Sequence, residues 1–161
     1  MVAMACVNGR ICDQRDAMIS VFDYGFLFGD GVYEVVRTYH HKVFLLDRHL
    51  VRLRNSARMI ALEIPASDSE LRSEVDRTVQ AFLDGPGRDA GAPEMYVRVL
   101  VTRGVGDGTY NPSSSPGPSM VVIVKPLSPP PSSAYEHGVA VTMASIVRNH
   151  PGSVSPLIKS N

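Results

Sequence analysis

The 161-residue chain carries 16 basic and 16 acidic residues, no formal net charge and 44% hydrophobic residues. That length suits one ordinary domain and falls short of two full-sized ones, while the balanced charge argues against nucleic acid or an anionic membrane surface as partner. No apolar run approaches a membrane span, and Met1 to Cys6 lacks the charged start and apolar core of a signal peptide, which points to the cytoplasm.

Residues 3 to 12 read as two short strands around Asn8-Gly9, the dipeptide best suited to a two-residue hairpin loop. That register sets Cys6 opposite Ile11 and Cys12 opposite Ala5, so the only two cysteines are expected to be reduced and structural. Asp23 to Gly31 is glycine-spaced and aromatic, and Val32 to Tyr39 is β-branched and aromatic, as a strand prefers. His40-His41-Lys42 turns the chain into Val43-Phe44-Leu45. No further His, Cys or carboxylate cluster lies at ligand spacing, so the paired histidines read as a solvated turn and no metal is expected.

From Asp47 the spacing predicts a helix with Leu46, Leu50, Leu53, Ala57, Ile60 and Ala61 on one face and Arg48, Arg52 and Asn55 on the other. A second helix opens on a capping box, Ser67 with Glu70, turns Leu71, Val75, Val79, Phe82 and Leu83 inward, and stops at Asp84-Gly85-Pro86-Gly87. Residues 94 to 102 alternate: Met95, Val97, Val99 and Val101 share one face, Tyr96, Arg98, Leu100 and Thr102 the other. A tyrosine and an arginine two residues apart on one side of a strand can reach a single anion.

Gly104-Val105-Gly106-Asp107-Gly108 fails as a dinucleotide loop, because its third glycine comes too early and Asn111-Pro112 follows where a helix should begin. Residues 103 to 118 are therefore expected to be a flexible loop. Met120 to Lys125 reads as a buried strand, Pro126 to Ser133 as a linker, and Val139 to Ile146 as new strand-like structure. There are no internal repeats. The chain ends on Pro156-Leu157-Ile158-Lys159-Ser160-Asn161, which holds one of three lysines against thirteen arginines.

Taken in order, Phe28-Gly29-Asp30-Gly31-Val32-Tyr33-Glu34, the helix Asp47-Arg48-His49-Leu50-Val51-Arg52-Leu53, the strand Tyr96-Val97-Arg98 with Thr102-Arg103-Gly104, and Ser145 through Lys159-Ser160-Asn161 resemble the class IV pyridoxal phosphate aminotransferases. The Arg103 to Asp107 loop and the Ile158 to Asn161 end are most like the branched-chain amino acid branch. The resemblance implies an α+β fold: an antiparallel sheet with two helices over residues 1 to 126, a linker at 127 to 133, and at 134 to 161 the beginning of a large cofactor-binding domain left incomplete.

It also implies roles. Lys159 would hold pyridoxal 5′-phosphate through its amine and move a proton at the substrate Cα, Arg52 would contact the cofactor phosphate, Tyr96 and Arg98 would receive the substrate carboxylate, and Phe28, Tyr33 and Val35 would line the side-chain pocket. Glu34 is left as structural. The activity implied is transamination between a branched-chain L-amino acid and 2-oxoglutarate, in a homo-oligomer. In the family a second domain follows the lysine and supplies the carboxylate that pairs with the pyridine nitrogen, so a chain ending at Asn161 is expected to bind cofactor weakly and turn over little. Two alternatives stay open: a D-amino acid aminotransferase or aminodeoxychorismate lyase on the same scaffold, and a non-catalytic dimerisation or binding module.

Overall fold

Backbone chemistry at the two hairpins sets the frame of the sheet. In the computed structural model, described for residues 2–91, 93–147, 149–150 and 153–160, strands β1 (Met4–Val7) and β2 (Arg10–Asp13) turn at Asn8 and Gly9, both with positive φ, as a two-residue loop requires. Strands β3 (Gly31–Tyr39) and β4 (Lys42–Val43) turn in the same way at His40 and His41, also at positive φ. With β5 (Met95–Thr102) and β6 (Ser119–Pro126) these make one six-stranded antiparallel sheet in the order β2-β1-β6-β5-β3-β4. Cys6 lies opposite Ile11 and Cys12 opposite Ala5, both as free thiols, as the hairpin register predicts.

Period-two alternation divides the sheet into two faces. Val32, Glu34, Val36 and Thr38 of β3 and Met95, Val97, Val99 and Val101 of β5 are buried on the helix side. Helix α2 (Leu46–Met59) packs Leu46, Leu50, Leu53 and Ala57 onto that face, and α3 (Asp68–Asp84) adds Leu71, Val75, Val79 and Phe82. The Ser67–Glu70 capping box that opens α3 is present in both directions, and Gly85 ends the helix. The opposite face carries Tyr33, Val35, Tyr96, Arg98 and Leu100, all half-buried.

Helix α1 (Tyr24–Phe28) explains the glycine spacing before β3. The buried Asp23 carboxylate accepts from the Gly25 N–H at 2.8 Å and from Thr102 Oγ1 at 2.9 Å, and a side chain at Gly25 would overlap Thr102. Gly29 closes the helix in the left-handed region, φ 67°. A one-turn helix α4 (Pro86–Asp89) follows α3, and α5 (Ser132–His137) lies beyond β6. No helix among the described residues is long and apolar enough to cross a membrane.

Three expectations change. Helix α2 ends at Met59; Ile60 still packs against the core and Leu62 enters it, while Ala61 is exposed at φ 49°, because the chain reverses there. Residues 103 to 118 are irregular but well tied down: Arg103 pairs with Asp30 and donates to the Ile60 and Ala61 carbonyls, and Tyr24 bonds Asp107 and Ser114. Residues 139 to 146 form no strand. Val139, Val141, Met143 and Ile146 are 73–93% exposed, and an extended segment without a ladder partner or an apolar surface to cover does not hold strand geometry.

Leu53 is fully buried at the centre of the α2 contact. Replacing it with alanine is expected to cost about 2–5 kcal/mol, read from the urea unfolding midpoint; an unchanged midpoint would remove α2 from the core. Burial and then the Glu74 carboxylate, which accepts from Cys6 Sγ at 2.8 Å, push the Cys6 thiol up to about 11. Iodoacetamide at pH 8 is therefore expected to alkylate Cys12 in the native protein and Cys6 only after unfolding, with peptide mass mapping as the readout.

Candidate active site

Strand β4 is two residues long, so it covers only the far end of β3. The near end, Gly31 to Tyr33, has a sheet edge to fill, and the last described residues fill it. Tyr33 N–H donates to the Lys159 carbonyl at 2.9 Å and Val32 bridges Ser160 in antiparallel fashion. The Lys159 N–H in turn donates to Ser56 Oγ of α2 at 3.1 Å, and Ile158 packs against the core. Ladder pairing sets the Lys159 side chain on the same face as Tyr33, with Nζ 4.8 Å from the ring centroid.

Beneath this edge lies an ionic cluster. Glu34 points to the helix side of β3, its side chain 1% exposed, and accepts from Arg52 Nε, from Arg52 Nη2 at 2.6 Å and from His49 Nδ1 at 2.9 Å. Burial alone would hinder ionisation of Glu34, but the hydrogen bonds from Arg52 and His49 outweigh it and hold the carboxyl below its ordinary range. The hydrogen bond to Glu34 holds Arg52 above its ordinary range. Arg52 remains 54% exposed, and with Tyr33, Lys159, Ser160 and residues 156–158 it lines an open cleft of about 440 Å³. Of the polar face expected for α2, Arg52 lines this cleft.

On the outer sheet face Val35 lies opposite Arg98, and the Arg98 guanidinium stacks 4.0 Å from the centroid of the Tyr33 ring. Tyr33, Val35, Arg98 and Lys159 therefore converge. Tyr96 shares their face one rung further on, under Lys125 Nζ at 4.9 Å. Phe28 sits apart from the residues that line the cleft and packs between Tyr24 and Tyr110, with centroids at 5.1 and 4.9 Å. Chemically, the cleft pairs a primary amine with a guanidinium held by a buried carboxylate, and an aromatic ring between cations separates it from an arginine suited to a carboxylate. Its volume lies within the range of small-molecule sites.

The sequence pattern of the amino-transferase class IV family matches residues 31–161, the stretch that runs from β3 to the lysine. The chain belongs to the class IV aminotransferase family. A protein of Methanocaldococcus jannaschii provisionally named a branched-chain-amino-acid aminotransferase is 35% identical over 154 residues, which cover 96% of this chain and 50% of that protein. A D-alanine aminotransferase of Bacillus licheniformis is 31% identical over 88% of this chain and 47% of its own length. Among solved structures, the Escherichia coli branched-chain amino acid aminotransferase shares the fold, with a TM-score of 0.81 at 23% identity over 99% of this chain and 52% of that one. A Mycobacterium tuberculosis hypothetical aminotransferase in its PLP-bound form gives a TM-score of 0.63 at 26% identity over 78% and 40%. The chain spans about half the length of the curated relatives it matches.

Ser56 and His49 make contacts here that sequence reading passed over, and Glu34, left as structural there, pairs with Arg52. Ser56 falls three residues after Leu53 on the apolar face of α2, and a hydroxyl in such a stripe needs a partner when buried; the Lys159 N–H is that partner. Glu34 sits at a core-facing register of β3, where an unpaired carboxylate would be too costly to bury.

Because the folded Glu34 carboxyl lies below its ordinary range, its ionised form stabilises the fold above the unfolded-state value of about 4.3, and that contribution is lost as pH falls toward the folded-state value. A Glu34→Gln variant is expected to unfold at lower urea than the parent at pH 7, with the gap narrowing below about pH 4. A gap independent of pH would contradict an ionised Glu34.

Proposed function

We propose that this chain contributes the lysine, the phosphate-contacting arginine and the substrate face to a pyridoxal 5′-phosphate-dependent aminotransferase, acting between a branched-chain L-amino acid and 2-oxoglutarate. The observation that carries this reading is the placement of Lys159, pinned through its backbone to Tyr33 and Ser56 with its amine over the Tyr33 ring and a cleft beside it. The PLP-bound M. tuberculosis relative supports the cofactor.

The residues present fit such a group: an amine for its aldehyde, and at Arg52 a fixed guanidinium for its phosphate. None of the lining residues is acidic, so the contact to the ring nitrogen lies outside this cleft. When bound, pyridoxal phosphate supplies an electron sink that no side chain can provide. Lys159 Nζ then serves as the attachment point and as the base that takes and returns the proton at the substrate Cα. Arg98, with Tyr96 beside it, holds the substrate carboxylate and so fixes which Cα–H faces Lys159. Tyr33 and Val35, with Phe28 at the periphery, present apolar surface to the substrate side chain, which favours a branched aliphatic group. Residues 1 to 126 are assigned to the small domain, 127 to 133 to a linker and 134 to 161 to the cofactor domain, because the sheet ends at Pro126 and the large apolar side chains from Val139 to Val147 are exposed.

The chain has three lysines, Lys42, Lys125 and Lys159. Borohydride reduction with pyridoxal 5′-phosphate is expected to place a single adduct on the Lys159 peptide, absent in Lys159→Arg. Labelling spread evenly over all three lysines would contradict the reading. With that adduct established, amino transfer from L-leucine but not D-alanine supports the branched-chain assignment, and the reverse supports a D-amino acid aminotransferase such as the B. licheniformis relative.

A further inference from the structure

We propose that Glu34 is a positioning residue that acts through Arg52, aiming its guanidinium into the Lys159 cleft so that it can hold the phosphate of an incoming pyridoxal 5′-phosphate. The inference rests on the functional reading above and deepens it. Three observations carry it. First, β3 alternation sends Glu34 to the helix side while its neighbours Tyr33 and Val35 face the substrate side, so the strand that forms the pocket wall also places an anion beneath α2. Second, Glu34 takes Nε and Nη2 of Arg52, a two-point contact that fixes the plane of the guanidinium of a residue that lines the cleft; a single contact would leave it free to rotate. Third, His49, one turn before Arg52, bonds the same Glu34 oxygen as Nη2, which holds the carboxylate against rotation.

The magnitudes favour positioning over simple charge pairing. Arg52 is 54% exposed and Glu34 1%, so solvent screens the Arg52 end of the pair and discounts its worth as simple charge attraction. Its effect is to order a long side chain that would otherwise sample many rotamers, and that order is what a phosphate site needs. Burial of the carboxylate has a cost that a purely structural apolar residue at position 34 would avoid.

The test is competitive borohydride trapping of pyridoxal 5′-phosphate against pyridoxal on Lys159, quantified by mass from the Lys159 peptide of the whole chain. The two aldehydes differ only in the phosphate, so their ratio reads the phosphate contact and is insensitive to a general loss of stability. The parent chain is expected to prefer the phosphorylated aldehyde. Glu34→Gln is expected to lower that preference about tenfold, the scale of one charge-assisted hydrogen bond. Arg52→Gln is expected to lower it at least as far, and the double variant no further than Arg52→Gln alone. An unchanged ratio in Glu34→Gln, or additive losses in the double variant, would overturn the inference. Should Glu34→Gln fail to fold, Arg52→Lys carries the test, since it keeps the charge and removes the two-point contact; an undiminished preference there would also overturn it. A parent chain that traps both aldehydes equally on Lys159 would remove Arg52 as the phosphate contact, and one that traps neither would remove the functional reading itself.

Discussion

The open edge of β3 is the constraint on which the site depends. A strand edge presents unpaired N–H and C=O groups that must find partners, and β4 with Phe44 after it supplies them only from Arg37 to Tyr39. The Lys159 carbonyl and Ser160 take up the near end. That single ladder rung converts a lysine far along the sequence into a neighbour of Tyr33, and strand alternation then decides that its amine faces the outer surface, where Arg98 also lies. Ser56 makes the rung specific by accepting the Lys159 N–H from the helix side.

Once β3 carries this rung, the rest of the site follows from its two faces. One face holds the apolar core against α2 and α3, and the other carries Tyr33, Val35, Arg98 and the Lys159 amine. Glu34 links the two. It lies on the core side, yet through Arg52 it shapes the cleft on the other, and three hydrogen bonds compensate the burial of its charge. The turn from α1 into β3 is secured independently by Asp23 on Thr102 and Asp30 on Arg103, so the strand start that receives Ser160 is held from both sides.

Most of the small fold was legible in the sequence because its signals are local. Asn8-Gly9, the Ser67–Glu70 capping box and the strict alternation of 94–102 each specify geometry within a few residues, and all three are present. The signals failed where a partner far along the chain decides the outcome. Residues 139 to 146 have strand-like composition but no ladder to join. The 103–118 loop reads as flexible from its glycines and prolines, yet Arg103 and Tyr24 anchor it through groups more than 40 residues away. At the site, Tyr96, Arg98, Tyr33 and Val35 could be placed on shared faces by period two alone. That Lys159 joins them depended on family likeness, since no periodicity reaches from β3 to residue 159. Glu34 looked structural for a sound reason, and the structure adds that its partner is a cleft residue.

The docking of the lysine segment on β3 is tested most directly by amide hydrogen exchange at Tyr33. If the Lys159 carbonyl accepts that N–H as described, Tyr33 exchanges as slowly as the central amides of β5 and β6, well below an open strand edge. Exchange at the rate of an unprotected edge amide would mean that residues 158–160 do not rest on β3, and that the convergence of Lys159 with Tyr33 and Arg98 is not a property of this protein.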